Sequence, residues 1–279
     1  MKLFLKISAA MWLALGLNWA AAQQDTSFQL IKTIQSPIST LAIDNLDNIY
    51  IVTATDQLRK YNAAGDSAGT YNDVRRYGKL HAIDVSNPLK LLLFYKDFST
   101  VVILDRLLTV KGSIDLRRRR ILQASAVGTS YDNQIWVFDE YESKLKKIDE
   151  EGNLLLETPD LRTLFPNPIR PQQIIDQNKT VYLYDADNGV FLFDHFGTFR
   201  KKLPITQWKA ITVTDQYIYG MADNQTLGFY NPATLLSAQK ALPQLKGNYH
   251  YQIANNKLFA WTRDSLHIYH YRFGLTAER

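Results

Sequence analysis

Residues 41–65 read LAIDNLDNIYIVTATDQLRKYNAAG, three short strand-like segments separated by polar turns. An apolar strand, a polar turn and a second strand occupy Leu41 to Thr53, and residues 57–62 follow as a third strand. After the turn at residues 63–65, a fourth strand is expected near Ser67 to Tyr71. Four short strands joined by tight turns are typical of one unit of a repetitive all-β fold.

The same arrangement returns about every forty residues, in five further units, which is the period of a four-stranded repeat. Their second strands are Lys90–Tyr95, Gln134–Phe138, Thr180–Tyr184, Tyr217–Tyr219 and Lys257–Trp261. In the first five units the third strand ends in a residue that stabilises tight turns: Asn62, Asp105, Asp149, Asp194 and Asn231. The chain lacks long stretches with the three-and-four apolar spacing of a helix.

The two ends of the repeat complement each other. The sixth unit lacks a fourth strand, while Phe28–Ile34 is a spare strand that precedes the first unit. If the spare strand pairs with the sixth unit, the ring closes and no sheet edge is left at the junction. The sequence therefore predicts a six-bladed β-propeller with four-stranded antiparallel blades, closed by its N-terminal strand.

The first residues predict an export signal. Lys2 and Lys6 accompany an apolar stretch that ends at about Trp19, and residues 20–22 are the small residues that a signal peptidase requires. Cleavage would leave one propeller domain, residues 23–279, in the periplasm or outside the cell. The alternative is a retained membrane anchor, although the apolar stretch is shorter than the ~20 residues of a membrane span.

Composition narrows the function classes. The chain has no cysteine, so disulfides and thiolate chemistry contribute nothing. The formal charge of +5 includes two lysines of the export signal, which leaves the mature chain mildly basic. Because export also argues against it, nucleic acid is not expected as a partner. We expect no transmembrane segment after the signal and no cofactor.

The segments Ile43-Asp44, Asn48 to Val52, Leu58 to Tyr61 and Gly65 resemble a blade of the NHL-type propellers, which belong to a broader six-bladed group with TolB-like propellers and lactonase-type hydrolases. The resemblance covers essentially the whole mature chain. Lactonase-type enzymes hold a calcium ion on the axis, with carboxylate and amide ligands near the starts of the inner strands. Here those starts carry no carboxylate, so no metal site is expected: Ser39, His81, Gln123, Gln172, Lys209 and Tyr251.

Basic and aromatic residues concentrate in the loops that enter the inner strands. These loops share one face of a propeller with the turns between second and third strands. We predict that this face binds a protein or glycan partner through Arg75, Arg76, Tyr77, Lys79, His81, Arg117, Arg118, Arg119, Arg120, Arg170, Trp208, Lys209, Tyr249 and Tyr251. The alternative is a solvated face whose cations pair with nearby turn acids such as Asp56, Asp97, Asp187, Asp223 and Asp264.

Three function classes remain open. The leading one is an exported, non-enzymatic binding or scaffold protein. A hydrolase or lyase acting in the axial pocket would use Lys79, His81 and Tyr251 as its acid–base set, although no catalytic motif is present and His81 and Asp84 face opposite sides of one strand. The third is a structural subunit of a cell-envelope assembly.

The loop from Leu161 to Pro171 is expected to fold over blades 3 and 4 as a plug.

Overall fold

The computed structural model describes residues 28–223, 226–242 and 249–271, which form six four-stranded antiparallel sheets arranged as a β-propeller. This confirms the predicted fold. Blade 1 comprises β2 (Thr40–Ile43), β3 (Ile49–Val52), β4 (Leu58–Tyr61) and β5 (Ser67–Tyr71). Blade 2 comprises β6 (Ala82–Asp84), β7 (Lys90–Tyr95), β8 (Thr100–Asp105) and β9 (Val110–Asp115). Blade 3 comprises β10 (Ala124–Thr129), β11 (Ile135–Asp139), β12 (Lys144–Ile148) and β13 (Leu154–Glu157).

Blades 4 to 6 follow the same order. Blade 4 comprises β14 (Gln173–Gln177), β15 (Thr180–Asp185), β16 (Gly189–Asp194) and β17 (Phe199–Leu203). Blade 5 comprises β18 (Ile211–Val213), β19 (Ile218–Met221), β20 (Thr226–Tyr230) and β21 (Ser237–Ala241). Blade 6 comprises β22 (His250–Ala254), β23 (Lys257–Trp261), β24 (Ser265–Tyr271) and β1 (Phe28–Gln35). The connections carry one short helix, α1 (Val74–Tyr77), and two 3₁₀ turns (Arg117–Arg119 and Leu161–Thr163).

The N-terminal strand closes the ring as predicted. β1 pairs antiparallel with β24 along its whole length, from Phe28 opposite Tyr271 to Gln35 opposite Ser265, with one bulge between Leu30 and Lys32. The last blade therefore takes its outermost strand from the other end of the chain. This pairing ties both ends into one sheet.

The hydrophobic core lies between neighbouring blades. Successive side chains of a strand point to opposite faces, so a continuous apolar run is buried on both sides. In β7, Leu91 and Leu93 pack towards blade 1 in a cluster with Tyr50, whereas Leu92 and Phe94 pack towards blade 3. The run KLLLFY, which is buried throughout, thus fills two inter-blade layers at once.

The acids at the ends of third strands stabilise the turns that follow. Asp105 Oδ1 accepts the backbone N–H groups of Leu107 and Thr109, each at 2.9 Å, and the bond from Thr109 lowers the pKa of this carboxyl. Asp149 and Asp194 accept from the residues two and four positions later in the same way. The predicted turn chemistry is confirmed.

No helix within the described ranges is long and apolar enough to cross a bilayer. The predicted signal peptide, residues 1–22, lies outside the ranges that the structure describes.

Candidate binding face

The loops that enter the inner strands and the turns between second and third strands share one face, which we call the upper face. The loop that leaves blade 2 is tied to the turn of that blade by a hydrogen bond from the Leu116 N–H to the Ser99 carbonyl (2.9 Å). The same bond recurs in blade 3 from Leu161 to Ser143 (2.9 Å). These bonds bring the predicted loops and turns together.

The loop from residue 72 to residue 81 is anchored by two buried side chains. Tyr77 and Leu80 lie in the cluster between blades 1 and 2, and the Tyr77 ring packs 5.2 Å from that of Tyr95. Tyr77 is therefore a core residue and is not available to a partner. Its burial turns Arg75 and Arg76 outwards, and both are exposed.

The loop that contains the four arginines has an equivalent design. Leu116 and Ile121 are almost fully buried, and the Leu116 carbonyl accepts the N–H groups of Arg119 (3.0 Å) and Ile121 (2.9 Å). Arg120 takes a left-handed backbone conformation (φ 62°) that closes the turn. Because both apolar ends point into the core, residues 117–120 all project into solvent.

These two loops flank the turn at residues 96–99, and together they form a surface that we call the blade-2 rim (residues 72–81, 96–99 and 115–122). The rim has eight basic and three acidic residues, a formal charge of +5. Arg117 donates to the Asp97 carbonyl (3.2 Å), and Arg118 pairs with Asp115 at 3.3 Å although its side chain is 86% exposed.

The other cations of the blade-2 rim have no ion-pair partner. Within residues 28–223, 226–242 and 249–271, no carboxylate lies within 4.0 Å of the charged groups of Arg75, Arg76, Lys79, Lys96, Arg119 or Arg120. Arg76 instead lies 4.9 Å from the Tyr77 ring in a cation–π contact. The rim therefore presents positive charge that the described protein does not neutralise.

Two exposed apolar side chains lie in the same rim. Phe98 is 54% exposed and Leu122 is 52% exposed. Sequence reasoning missed both of them, and it also missed Lys96. The signal for Phe98 was its position in the otherwise polar turn Lys-Asp-Phe-Ser, where turn chemistry does not require an aromatic residue.

A second part of the upper face, the blade-3/4 rim (residues 140–143, 157–172 and 186–188), carries paired cations. It has two basic and five acidic residues. Arg162 makes a bidentate contact with Asp160, at 2.6 Å for the shortest N–O distance. The Arg170 guanidinium pairs with Glu140 at 3.1 Å, and its backbone N–H donates to Asp185 at 2.7 Å. Arg170 was predicted to bind a partner, but its guanidinium already has an anionic one.

The loop of the blade-3/4 rim also packs inwards. Leu161 and Ile169 are buried with blades 3 and 4, and Phe165 contacts Phe191 and Phe199 edge to face, at 4.8 and 4.9 Å between ring centroids. Leu164 stays exposed, at 53%. It is the one leucine, isoleucine or phenylalanine of the predicted plug that does so. The loop is therefore a cover for the core rather than an apolar docking surface.

Trp208 belongs to the core of blade 5. It is 9% exposed and lies flat over Gly220 and Gly228, where a Cβ atom would meet the indole at 2.3 Å. The two glycines on adjacent strands leave the space that the ring fills. Its position in the chain beside Lys209 suggested exposure, but the side chain points the other way.

Tyr251 is also buried, and the expectation that it begins an inner strand is wrong. β22 begins at His250, and Tyr251 is the second residue of that strand. Its hydroxyl donates to the Asp223 carbonyl at 2.7 Å, and its burial raises its pKa. The tyrosine is therefore a core residue whose hydroxyl already has a hydrogen-bond partner.

The remaining predicted residues surround the upper end of the axis. His81 and Lys209 are exposed and donate their backbone N–H groups to the second strands of their blades at 2.9 and 3.1 Å. Although His81 is partly open to solvent, its contacts with the protein desolvate the imidazole and lower its pKa, and Lys96 lowers it further. Tyr249 is half-buried against His267, with 5.9 Å between the ring centroids. These three residues and the blade-2 rim are on one face, but the arginines make up most of its charge.

The lower ends of the inner strands carry carboxylates whose role between blades the sequence did not reveal. Asp176 of blade 4 accepts hydrogen bonds from Ser130, Tyr131 and Trp136 of blade 3, at 3.1, 3.1 and 3.0 Å. Asp84 of blade 2 likewise accepts from the backbone of blade 3. These acids connect adjacent blades. Among the described residues, no group of three or more histidines and acids is arranged to hold a metal ion.

The comparisons with known proteins support the fold. The sequence matches no protein-family model and no curated protein. Among solved structures, a streptogramin B lyase is similar at 14% identity with a TM-score of 0.58, covering 83% of this chain and 78% of that one. BamB from Moraxella catarrhalis is similar at 11% identity with a TM-score of 0.55, covering 88% and 100%.

The β-propeller domain of Cps50 (Swd1) from Myceliophteria thermophila is similar at 8% identity with a TM-score of 0.60, covering 88% of this chain and 100% of that one. At these identities the likeness shows the β-propeller fold alone; the number of blades is read from the six sheets of this chain. One fold hosts many functions, so the function must be argued from the surface.

Proposed function

We propose that this chain is an exported, non-enzymatic binding or scaffold protein that holds a protein or glycan partner on its upper face. The observation that carries the proposal is the blade-2 rim, where exposed cations have no ion-pair partner among the described residues. Arginine is enriched in the anchoring positions of protein interfaces. A partner that brings carboxylate, sulfate or phosphate groups would complete the pairing.

The energetic argument concerns the four adjacent arginines. Two like charges at about 4 Å repel by ~1 kcal/mol in water, and salt reduces this repulsion without abolishing it. Buried Leu116 and Ile121 hold the loop in place, so the arginines cannot separate by unfolding locally without exposing that apolar surface. An anionic partner relieves the repulsion, which gives the run a role beyond solubility.

Export and a single domain of residues 23–279 belong to the same proposal. They are supported by the basic and apolar start of the chain and by the small residues at positions 20–22. The hydrolase or lyase reading is less well supported, because Tyr251 is buried and bonded to a backbone carbonyl. His81 alone, packed edge-on against Phe94 at 5.8 Å, does not make an acid–base pair.

The test compares two matched double variants of the full chain. Arg119→Ser with Arg120→Ser removes two unpaired arginines, and Arg162→Ser with Arg170→Ser removes two paired ones from the same face. Each variant is tagged, expressed in the native host and used to isolate partners from the cell-envelope and extracellular fractions. We expect the first variant to lose the bound partner and the second to retain it. Identical partners for the wild type and both variants would contradict the proposal.

A further inference from the structure

We infer that the partner of the blade-2 rim is an acidic, extended protein segment that places an apolar side chain against Phe98. This inference rests on the proposed function and specifies it. The observation that motivates it is an exposed aromatic ring surrounded by cations. Phe98 lies in the turn between the loop of Arg75, Arg76 and Lys79 and the loop of the four arginines.

One edge of the Phe98 ring rests against the neighbouring loop. A Cβ atom added at Gly78 would be 2.9 Å from one carbon of the ring and 3.3 Å from the next, so this edge lies close to the loop backbone. Gly78 has φ 72°, which favours glycine, and the missing side chain leaves room for the ring. The rest of the ring, with 54% of the residue exposed, is an apolar surface that we call the shelf.

The opposite edge of the shelf is held by the arginine loop. The Arg117 guanidinium donates to the carbonyl of Asp97, the residue before Phe98, and the Leu116 N–H donates to the carbonyl of Ser99, the residue after it. Exposed Leu122 lies two residues after the last arginine of the run. The bonds from Leu116 and Arg117 thus connect the loop that carries Leu122 to the turn that carries Phe98.

The composition of the rim favours a peptide over other anions. Nucleic-acid surfaces use several aromatic side chains for successive bases, whereas Phe98 is the one exposed phenylalanine, tyrosine or tryptophan among the described residues of this rim. Asp73, Asp97 and Asp115 interrupt the cations and would repel a uniform polyanion, but they can accept backbone N–H groups from a peptide.

The experiment uses the purified mature chain and fluorescence-labelled peptides of about ten residues, roughly 33 Å when extended. The first peptide consists of Glu and Ser with a central Leu, the second replaces that Leu with Ser, and the third replaces every Glu with Lys. We expect the first to bind about tenfold more tightly than the second, because ~1.4 kcal/mol of apolar contact is a factor of ten. The third should not bind.

Phe98→Ser removes the ring that the peptide Leu contacts. The tenfold difference between the first and second peptides, which corresponds to about 1.4 kcal/mol, should therefore shrink to within about twofold. The substitution should leave charge-dependent binding in place. Leu236→Ser is the matched control, because Leu236 is also an exposed apolar residue (70%) in a turn, but in blade 5. Leu122→Ser is a second variant that tests the shelf if Phe98→Ser fails to fold. Thermal unfolding identifies that failure.

Two further probes identify the competing partners. They are vesicles of phosphatidylglycerol and phosphatidylcholine in equal amounts, and a sulfated glycan. Tighter binding to either probe than to the first peptide would overturn the inference, as would equal affinity for the first two peptides. If the Arg119→Ser, Arg120→Ser variant still loses its envelope partner in that case, the proposed function stands and only the acidic segment is wrong.

Discussion

The blade-2 rim and the blade-3/4 rim are two neighbouring parts of one face, and both contain arginines. In the blade-3/4 rim Arg162 and Arg170 face Asp160 and Glu140, whereas Arg119 and Arg120 of the blade-2 rim face no carboxylate among the described residues. The apolar side chains differ too, because Phe165 is packed against blade 4 while Phe98 is exposed. Arginine and phenylalanine thus pair or pack within the protein in the blade-3/4 rim, whereas in the blade-2 rim they are available to a partner.

The difference teaches that a cation-rich loop must be judged by its partners and not by its composition. Exposed ion pairs contribute little to stability, typically 0 to ~1 kcal/mol, so pairing at the blade-3/4 rim serves mainly to neutralise the surface. The lack of pairing at the blade-2 rim is therefore tolerated by the fold at small cost. That tolerance allows the charge to be used for binding.

The largest expected effect lies beneath the blade-3/4 rim. Lys146 is buried (side chain 5% exposed) and pairs with Asp139 at 2.9 Å and Glu142 at 2.8 Å. Lys146→Met should lower the free energy of unfolding by about 3–5 kcal/mol, because it leaves the fully buried Asp139 carboxylate without its cation. Urea denaturation measures the change. Arg119→Met, the control in the blade-2 rim, should change it by less than about 0.5 kcal/mol.

A second substitution makes the Lys146 prediction specific. When Asp139→Asn is added to Lys146→Met, much of the lost stability should return, since the buried charge is removed. A loss in Lys146→Met that persists in the double variant would show that packing, not charge, is responsible. If Lys146→Met and Arg119→Met lowered the free energy of unfolding equally, the contrast between paired cations at one rim and unpaired cations at the other would be wrong.

A smaller effect separates the arginines of the upper face themselves. Arg170→Ser should destabilise the protein by about 0.2–1 kcal/mol at low salt, because it removes the cation that faces Glu140. Arg119→Ser with Arg120→Ser should leave stability unchanged or raise it by a similar amount, because it removes like-charge repulsion and no ion pair. Both differences should shrink in high salt. Destabilisation by the double variant that shrinks in high salt would contradict the absence of internal pairing.

The sequence predicted the ring because its signals are local and repeated. Each unit carries a third strand that ends in a turn-forming residue, such as Asp105, and the spare strand at Phe28 had one open edge to pair with. Side-chain direction was predicted less well. Trp208 and Tyr251 occupy loop or strand-start positions in the sequence, but inter-blade packing draws both into the core, and that packing depends on distant residues such as Gly228.

Charge pairing was the part that the sequence could not supply. The acids considered as partners for the arginines were turn acids such as Asp97 and Asp187. Arg162 instead pairs with Asp160 in its own loop, and Arg170 pairs with Glu140, a different acid in the turn between β11 and β12. Which acid meets which arginine depends on distances of a few ångströms between loops. The blade-2 rim could therefore be proposed as basic from the sequence, but its lack of partners required the structure.

The smallest expected effect is a change in the pKa of His81, which reports the electrostatic field at the blade-2 rim. Partial desolvation lowers the pKa of His81 most. Lys96 and Lys79 lower it further by charge repulsion, whereas Asp97 raises it. A lowered folded-state pKa means that His81 contributes stability above its unfolded pKa of about 6.5, which is lost as the pH falls through the folded value. Lys96→Gln should raise the pKa of His81 towards its ordinary value, as followed by NMR titration of the imidazole.

The matched control for this titration is Arg170→Gln, which removes a positive charge from the blade-3/4 rim. Because the charges that act on His81 are those of Lys96, Asp97 and Lys79 and not that of Arg170, its removal should leave the pKa of His81 where it is in the wild type. If both variants raise the pKa equally, the field at His81 comes from the whole face and the blade-2 rim holds no local excess. If only Lys96→Gln does so, the excess positive charge is confined to the loops that surround Phe98, where an acidic segment would bind.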